Sequence, residues 1–228
     1  MTVSAHTRRL LTSLVPLLPG GLFLLGLFIV PLISTFVLSL RPTDPFYDPL
    51  PGFSTQQYVT VFTSNYYLQA LIYTARMALI VTAICAVLAF PVAWLLIHAR
   101  SRAVRTLIML IVVSPLLTSV VVRSFGWRIL LSAEGPINSI LQTIGLTGAP
   151  LNLLSGKLTV IVVVTHVLLP FAVVTLSTSL SKIDPALLRA SSSLGASPAR
   201  VFATVVLPLA IPGLISGAVL VFSLSMGI

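Results

Sequence analysis

Five apolar runs, at residues 17–40, 70–97, 106–122, 158–180 and 205–228, take up most of this chain and dictate its solvent. A transmembrane helix needs about 20 consecutive apolar residues, and each run reaches or approaches that length. Charged residues are only 7% of the 228 positions and hydrophobic ones 57%. A soluble domain carries roughly a quarter charged residues, so water cannot solvate this surface and lipid must cover it. Within lipid an open strand leaves backbone groups unpaired, so the runs are helices. Pro31, Pro91, Pro115, Pro170 and Pro212 interrupt them. Such breaks are tolerated where neighbouring helices or water satisfy the freed carbonyls, which implies a multi-helix bundle. The fold class is therefore all-α, a polytopic membrane helical bundle.

The charges between the runs give an orientation. Arg8 and Arg9 precede the first run, and Arg100, Arg102 and Arg105 follow the second. Lys182, Arg189 and Arg200 stand against Asp184 before the last. The intervening loops differ in sign, with Arg41 against Asp44 and Asp48 in one and Glu134 in the other. Basic loops stay in the cytoplasm, so the chain is expected to start inside and cross five times without conflict. The net charge of +9 is thus a topology signal, and nucleic-acid binding is not expected. The first run has no small-residue cleavage pattern and reads as an uncleaved anchor. A single cysteine, Cys85, lies inside a run and permits no disulfide or zinc framework. It reads as a structural thiol.

Two short amphipathic pieces lie on the outer side. Ser54-Thr55-Gln56-Gln57 has capping-box spacing ahead of Tyr58, Val61 and Phe62. Ile137, Ile140, Leu141 and Ile144 recur at helical spacing, and Gly145 can close that helix. Interfacial helices and plain loop packing both fit these pieces.

The segment 182–208 is too polar to span and too patterned to be slack. Asp184 suits an N-cap and Pro185 the first helical position. A helix over 186–194 follows, with Leu187, Leu188, Ser191 and Leu194 along one side, and Gly195 stops it. Ser197-Pro198 starts a second helix that runs through Val201, Phe202 and Val205 into the last span. The result is a helix-turn-helix elbow, apolar on one side. It is either a docking surface for another protein or an elbow packed on its own bundle.

Here the chain resembles the permease subunits of binding-protein-dependent ABC importers. Their loop reads Glu-Ala-Ala, three residues, Gly, nine residues, Ile, one residue, Leu-Pro. Arg189-Ala190-Ser191, Gly195, Val205 and Leu207-Pro208 fall at that spacing, and Leu194-Gly195-Ala196-Ser197-Pro198 is similar to the usual run around the glycine. Arg123-Ser124-Phe125-Gly126-Trp127, Gly135-Pro136-Ile137-Asn138 with Leu141, and Leu169-Pro170-Phe171 resemble the polyamine (spermidine and putrescine) branch. Relatives for opines, ferric iron and other small solutes share much of this pattern.

The resemblance implies a type I importer permease fold in the bacterial inner membrane. It implies three partners: a separate ATP-binding subunit, a second permease subunit and a soluble substrate-binding protein. It makes the elbow, within a coupling loop at 184–208, the seat on the ATPase. Ala190, Ser191, Gly195, Ala196, Val205, Leu207 and Pro208 would shape that seat, whereas Arg189 stands where the family has an acid. It also implies a division into an anchor span with its outer loop at 1–67 and a transmembrane domain at 68–228. That domain has about five spans present of an expected six, so the chain is expected to lack its last helix.

Chemistry of other kinds is missing. Ser155-Gly156-Lys157-Leu158 lacks both the earlier glycine and the following hydroxyl of a phosphate-binding loop, so ATP is expected to be hydrolysed by another chain. His6, His98 and His166 stand apart from one another, with no paired acids or nucleophile elbow. Neither an enzyme nor a cofactor or metal is expected. Four residues at or near the spans, Tyr73, Arg76, Arg123 and Trp127, are candidates for the translocation path or for contact with the binding protein. Arg76, Arg123 and Arg128 fit snorkelling to headgroups equally well, and core packing fits the aromatics. An ion-driven secondary transporter or channel would instead call for acids at mid-membrane, and all four acids lie in loops.

Overall fold

The computed structural model describes residues 18–44 and 48–228. Arg8, Arg9 and His6 lie outside the described residues. Among the described residues the regular elements are helices, with one isolated bridge between Thr43 and Pro49, and the chain divides into two compact units, 1–71 and 72–228.

In the first unit, α1 (Leu18–Ser39) is an apolar helix. Large residues exposed all around it, such as Leu22, Phe23, Leu27 and Phe28, mark it as a helix made for lipid or for other helices. A loop then folds back, with the Asp48 amide donating to the Asp44 carboxylate at 2.8 Å. The short helix α2 (Gln56–Thr63) follows. Its capping box does not form: the N-cap is Thr55, with no side-chain cap bond. Ser54 Oγ instead accepts from the Gln56 amide at 3.1 Å, and the Gln57 amide reaches Thr43 Oγ1 at 3.0 Å. The fold-back of the loop offers Gln57 a partner that local spacing does not reveal.

The second unit is built on α3 (Asn65–His98), α7 (Lys157–Leu180) and α10 (Leu207–Met226). Lipid offers no hydrophobic drive between helices, so close backbone approach must hold them together. Small residues supply it: Ala78, Cys85, Ala89 and Ala93 are buried on α3 and Ala210, Gly213 and Gly217 on α10. A Cβ on Gly213 would overlap Ser179 of α7, and one on Gly217 would touch Ala172 Cα at 3.6 Å. Leu168, Val173, Leu176 and Leu180 of α7 fill the space between. Cys85 sits fully buried with Sγ 3.7 Å from the Thr165 carbonyl, a packing thiol.

The third apolar run departs from a straight span. α4 (Arg102–Leu117) ends before Thr118, which is extended, and after Ser119 α5 (Val120–Leu131) turns away. The bend between Arg102–Leu117 and Val120–Thr143 is 104°. Pro115 cannot donate to the Ile111 carbonyl, and Ser114 Oγ fills that vacancy at 2.9 Å. At the break itself Thr118 Oγ1 donates to the Ser114 carbonyl at 2.9 Å, the kind of internal bonding that a helix interrupted in lipid requires. Among the described residues four helices are long and apolar enough to cross a membrane, or five if the bent pair counts as one span.

Beyond the bend, α6 (Pro136–Thr143) ends at Gly145, whose φ is +74°. The Leu146 amide reaches the Leu141 carbonyl at 3.0 Å, as in a left-handed glycine stop. Asn138 is fully buried here. Its amide donates to the Ser132 and Leu151 carbonyls at 2.9 and 3.0 Å and accepts from the Leu151 amide at 2.8 Å. One side chain thus ties both flanks of the loop to α6.

Candidate functional site

The elbow begins where α7 ends. Asp184 Oδ1 accepts from the Ala186 amide at 2.8 Å and starts α8 (Pro185–Ser193). Gly195 has φ +82°, and the Gly195 and Ala196 amides return to the Ser192 and Ser191 carbonyls at 3.0 and 3.2 Å. That reversal needs a residue without a Cβ penalty at positive φ. Ser197 Oγ then accepts from the Arg200 amide at 3.4 Å and starts α9 (Pro198–Val201). The helix lies one residue earlier than the 186–194 expected from sequence.

The junction with α10 holds an element that the sequence reading lacks. Phe202–Val206 form one π-helical turn, with the Leu207 amide bonded to the Phe202 carbonyl. Pro208 follows without an N–H to extend the regular ladder. Val205 lies half-buried in this wide turn, and Leu207 and Pro208 open the helix after it. Such turns recur at functional sites.

One face of the elbow packs on its own bundle, and the opposite face is exposed. Leu188 and Ile183 pack against the bundle core. Leu187 and Leu194 face outward, 47% and 88% exposed. Arg189 and Ala190 are exposed and Ser191 half-buried, its Oγ donating to the Leu187 carbonyl at 2.7 Å. Gly195 is exposed and Ala196 half-buried at the corner.

Phe202 holds the elbow to α3. Its ring meets Phe90 edge-on at 5.1 Å and Trp94 at 6.3 Å. Trp94 stacks on His98 at 4.0 Å, and His98 Nδ1 lies 3.0 Å from the Trp94 carbonyl. Phe90, Trp94 and His98 recur at i, i+4, i+8 on α3. That stripe is visible in the sequence, but its partner lies more than a hundred residues away. Sequence reasoning missed it for that reason. Beside the seat a cavity of about 520 Å³ opens between the ends of α3 and α4 and the elbow, with His98, Arg105 and Arg189 in its wall. The basic residues of the 99–105 and 182–200 segments thus gather at one end of the bundle.

The other candidate residues fall into separate groups. Arg123 donates from Nη2 to the Thr118 carbonyl at 2.9 Å, so it serves the broken end of α4. Its Nε is buried without a partner among the described residues. Trp127 meets His166 of α7 edge-on at 5.5 Å. Tyr73 has Lys157 over its ring at 5.5 Å, a cation–π contact. Arg76 is exposed. His166 and Lys157 were not singled out from sequence as members of these groups, because each meets its partner across helices. No three His, Cys, Asp or Glu among the described residues could hold a metal ion.

Residues 79–228 match the family model described as the binding-protein-dependent transport system inner membrane component. The chain is 36% identical over 162 residues to the spermidine/putrescine transport system permease protein PotB of Escherichia coli K12. That match covers 71% of this chain and 58% of the relative, so the chain spans less than two thirds of the relative's length. It is 34% identical over 169 residues to the inner membrane ABC transporter permease protein YdcU of the same strain, covering 68% of this chain and 53% of that one. In structure it resembles a bacterial ABC transporter involved in import of the acidic polysaccharide alginate, with TM-score 0.70 and 20% identity. That likeness covers 94% of this chain and 73% of the other, and it shows a shared helical fold.

Proposed function

The chain belongs to the family of binding-protein-dependent transport system inner membrane components, and on that footing we propose that it is the permease subunit of an ABC importer for a polyamine-like solute. One observation carries the reading: a doubly capped elbow continuous with a core helix and exposed on its outer face. Asp184 and Ser197 cap its helices, and Leu187 and Leu194 lie open on the outside.

In this reading the elbow, at 184–208, seats on a separate ATP-binding subunit, with Ala190, Ser191, Gly195 and Ala196 at the contact. Force on it has two rigid exits. One runs through the π turn at Val205, Leu207 and Pro208 into α10, which Gly213 and Gly217 lock to α7. The other runs through Phe202 into α3. Pushing on the elbow therefore tilts three core helices together, which is what alternating access needs.

The basic end of the bundle faces the cytoplasm by charge, and the N-terminus lies on that side. A second permease subunit completes the path, and a soluble binding protein delivers the solute to the opposite face. Tyr73, Arg76, Arg123 and Trp127 lie toward that face. One relative is a spermidine/putrescine transport permease, which supports the solute class. Arginines in the path serve a cation poorly, so selection rests with the binding protein. The chain's role is transport; hydrolysis of ATP belongs to the partner.

Co-purification tests the reading. A tagged chain expressed with its operon neighbours retains an ATP-binding subunit, and deletion of 186–198 releases it. Retention of that subunit by the deleted chain sinks the reading.

A further inference from the structure

Arg189 lies exposed on the first helix of the elbow, and its surroundings are basic. Arg189 lines the 520 Å³ cavity together with His98 and Arg105, and no acidic residue lines it. The one acid of the elbow, Asp184, is engaged with the Ala186 amide. The cavity is thus a basic pocket with apolar walls at Ile97 and Leu188.

That pocket does not end at the elbow. Ile97, Arg105 and Ser181 also belong to a second cavity of about 590 Å³, a groove between α3, α4 and α7. Its far walls are apolar, at Leu96, Met109 and Val113, and Leu110 and Leu117 are exposed at its rim. One turn in from Ser181 lies Ser177, whose buried Oγ has no hydrogen-bond partner among the described residues.

From outside inward the surface therefore presents basic groups and then an apolar trough. An anionic phospholipid has the complementary order: a phosphate, then an acyl chain. A wholly apolar protein helix would leave the arginines facing apolar residues. A soluble phosphate would leave the trough empty.

We propose that one anionic phospholipid of the surrounding membrane occupies this continuous site, with its headgroup between Arg105 and Arg189 and one acyl chain along the α3–α4–α7 groove. The lipid bridges the elbow to α4, so membrane composition sets how firmly the elbow is held. The proposal rests on the membrane setting and not on the ATPase partner.

Trp94 lines the headgroup pocket and is one of two tryptophans, so a Trp127→Phe background makes it the only reporter. The full chain is reconstituted in phosphatidylcholine vesicles carrying brominated phosphatidylglycerol or, at equal mole fraction, brominated phosphatidylcholine. The site predicts much stronger quenching of Trp94 by the anionic lipid. Attraction to anionic lipid falls on the order of fivefold for each basic residue removed. Arg105→Gln with Arg189→Gln therefore abolishes the preference while leaving phosphatidylcholine quenching intact, and the paired lysine variants keep the preference. Equal quenching by both lipids overturns the proposal, as does a preference that persists in the double glutamine variant. A failure of both lipids to reach Trp94, with disulfide-linked pairs formed by Leu110→Cys, assigns the groove to a second copy and overturns it too.

Discussion

Phe202→Ala removes the ring that seats the elbow on α3. Phe202 makes two edge-on contacts, to Phe90 at 5.1 Å and to Trp94 at 6.3 Å. Each such pair contributes about 0.5–1.5 kcal/mol beyond area burial, so the two together contribute roughly 1–3 kcal/mol. Truncating a fully buried Phe costs about 3–5 kcal/mol in all, but Phe202 is 38% exposed, so only part of that applies. A loss of about 2–3 kcal/mol in the seat follows, or roughly a 30- to 150-fold rise in the open population. Hydrogen exchange on the full chain in lipid nanodiscs reads this directly. Amides at 199–207 should exchange faster by about that factor, and those at 210–221 inside α10 should not change. Phe202→Leu keeps part of the burial and falls between. Unchanged exchange at the elbow refutes the seat, and equal acceleration in α10 shows that the ring acts only on overall stability.

Other substitutions probe the remaining joints. Asp184→Ala removes the bond to the Ala186 amide and costs α8 about 1 kcal/mol, seen as roughly fivefold faster exchange in its first turn. Gly213→Val drives a side chain into Ser179. Overpacking of about 1–3 kcal/mol lowers the thermal midpoint of the detergent-solubilised chain, and Ser179→Gly restores part of it. Asn138→Leu strands the Leu151 amide, whereas the Ser132 and Leu151 carbonyls keep the Gly135 and Leu153 amides as donors. A stranded buried group costs about 1–3 kcal/mol, and proteolysis at 146–156 should quicken while the elbow stays intact.

Much of the elbow was legible because its signals are local. Asp184-Pro185, Gly195 and Ser197-Pro198 each act within four residues, and the structure places all three stops and starts where that chemistry puts them. The spans were legible for a similar reason, since lipid leaves a long apolar run no other structure. The bend at Thr118 was not. Pro115 signals a weakness, but whether a helix merely kinks or turns through 104° depends on what packs beyond it. The capping box at Ser54 failed because a partner from an adjacent loop, Thr43, took Gln57. Phe202 on Phe90, Trp127 on His166 and Asn138 on Leu151 share one property. Each pairs residues that only the folded chain brings together, and a single sequence carries no record of such pairings.

The central claim is that the outer face of the elbow docks on a separate ATP-hydrolysing chain. A photoreactive residue at position 194, where Leu194 is 88% exposed, tests it most directly. The account predicts a cross-link to a nucleotide-binding subunit of the same complex, with a yield that changes when ATP is added. Cross-links confined to lipid or to this chain itself, the same with and without ATP, would contradict it.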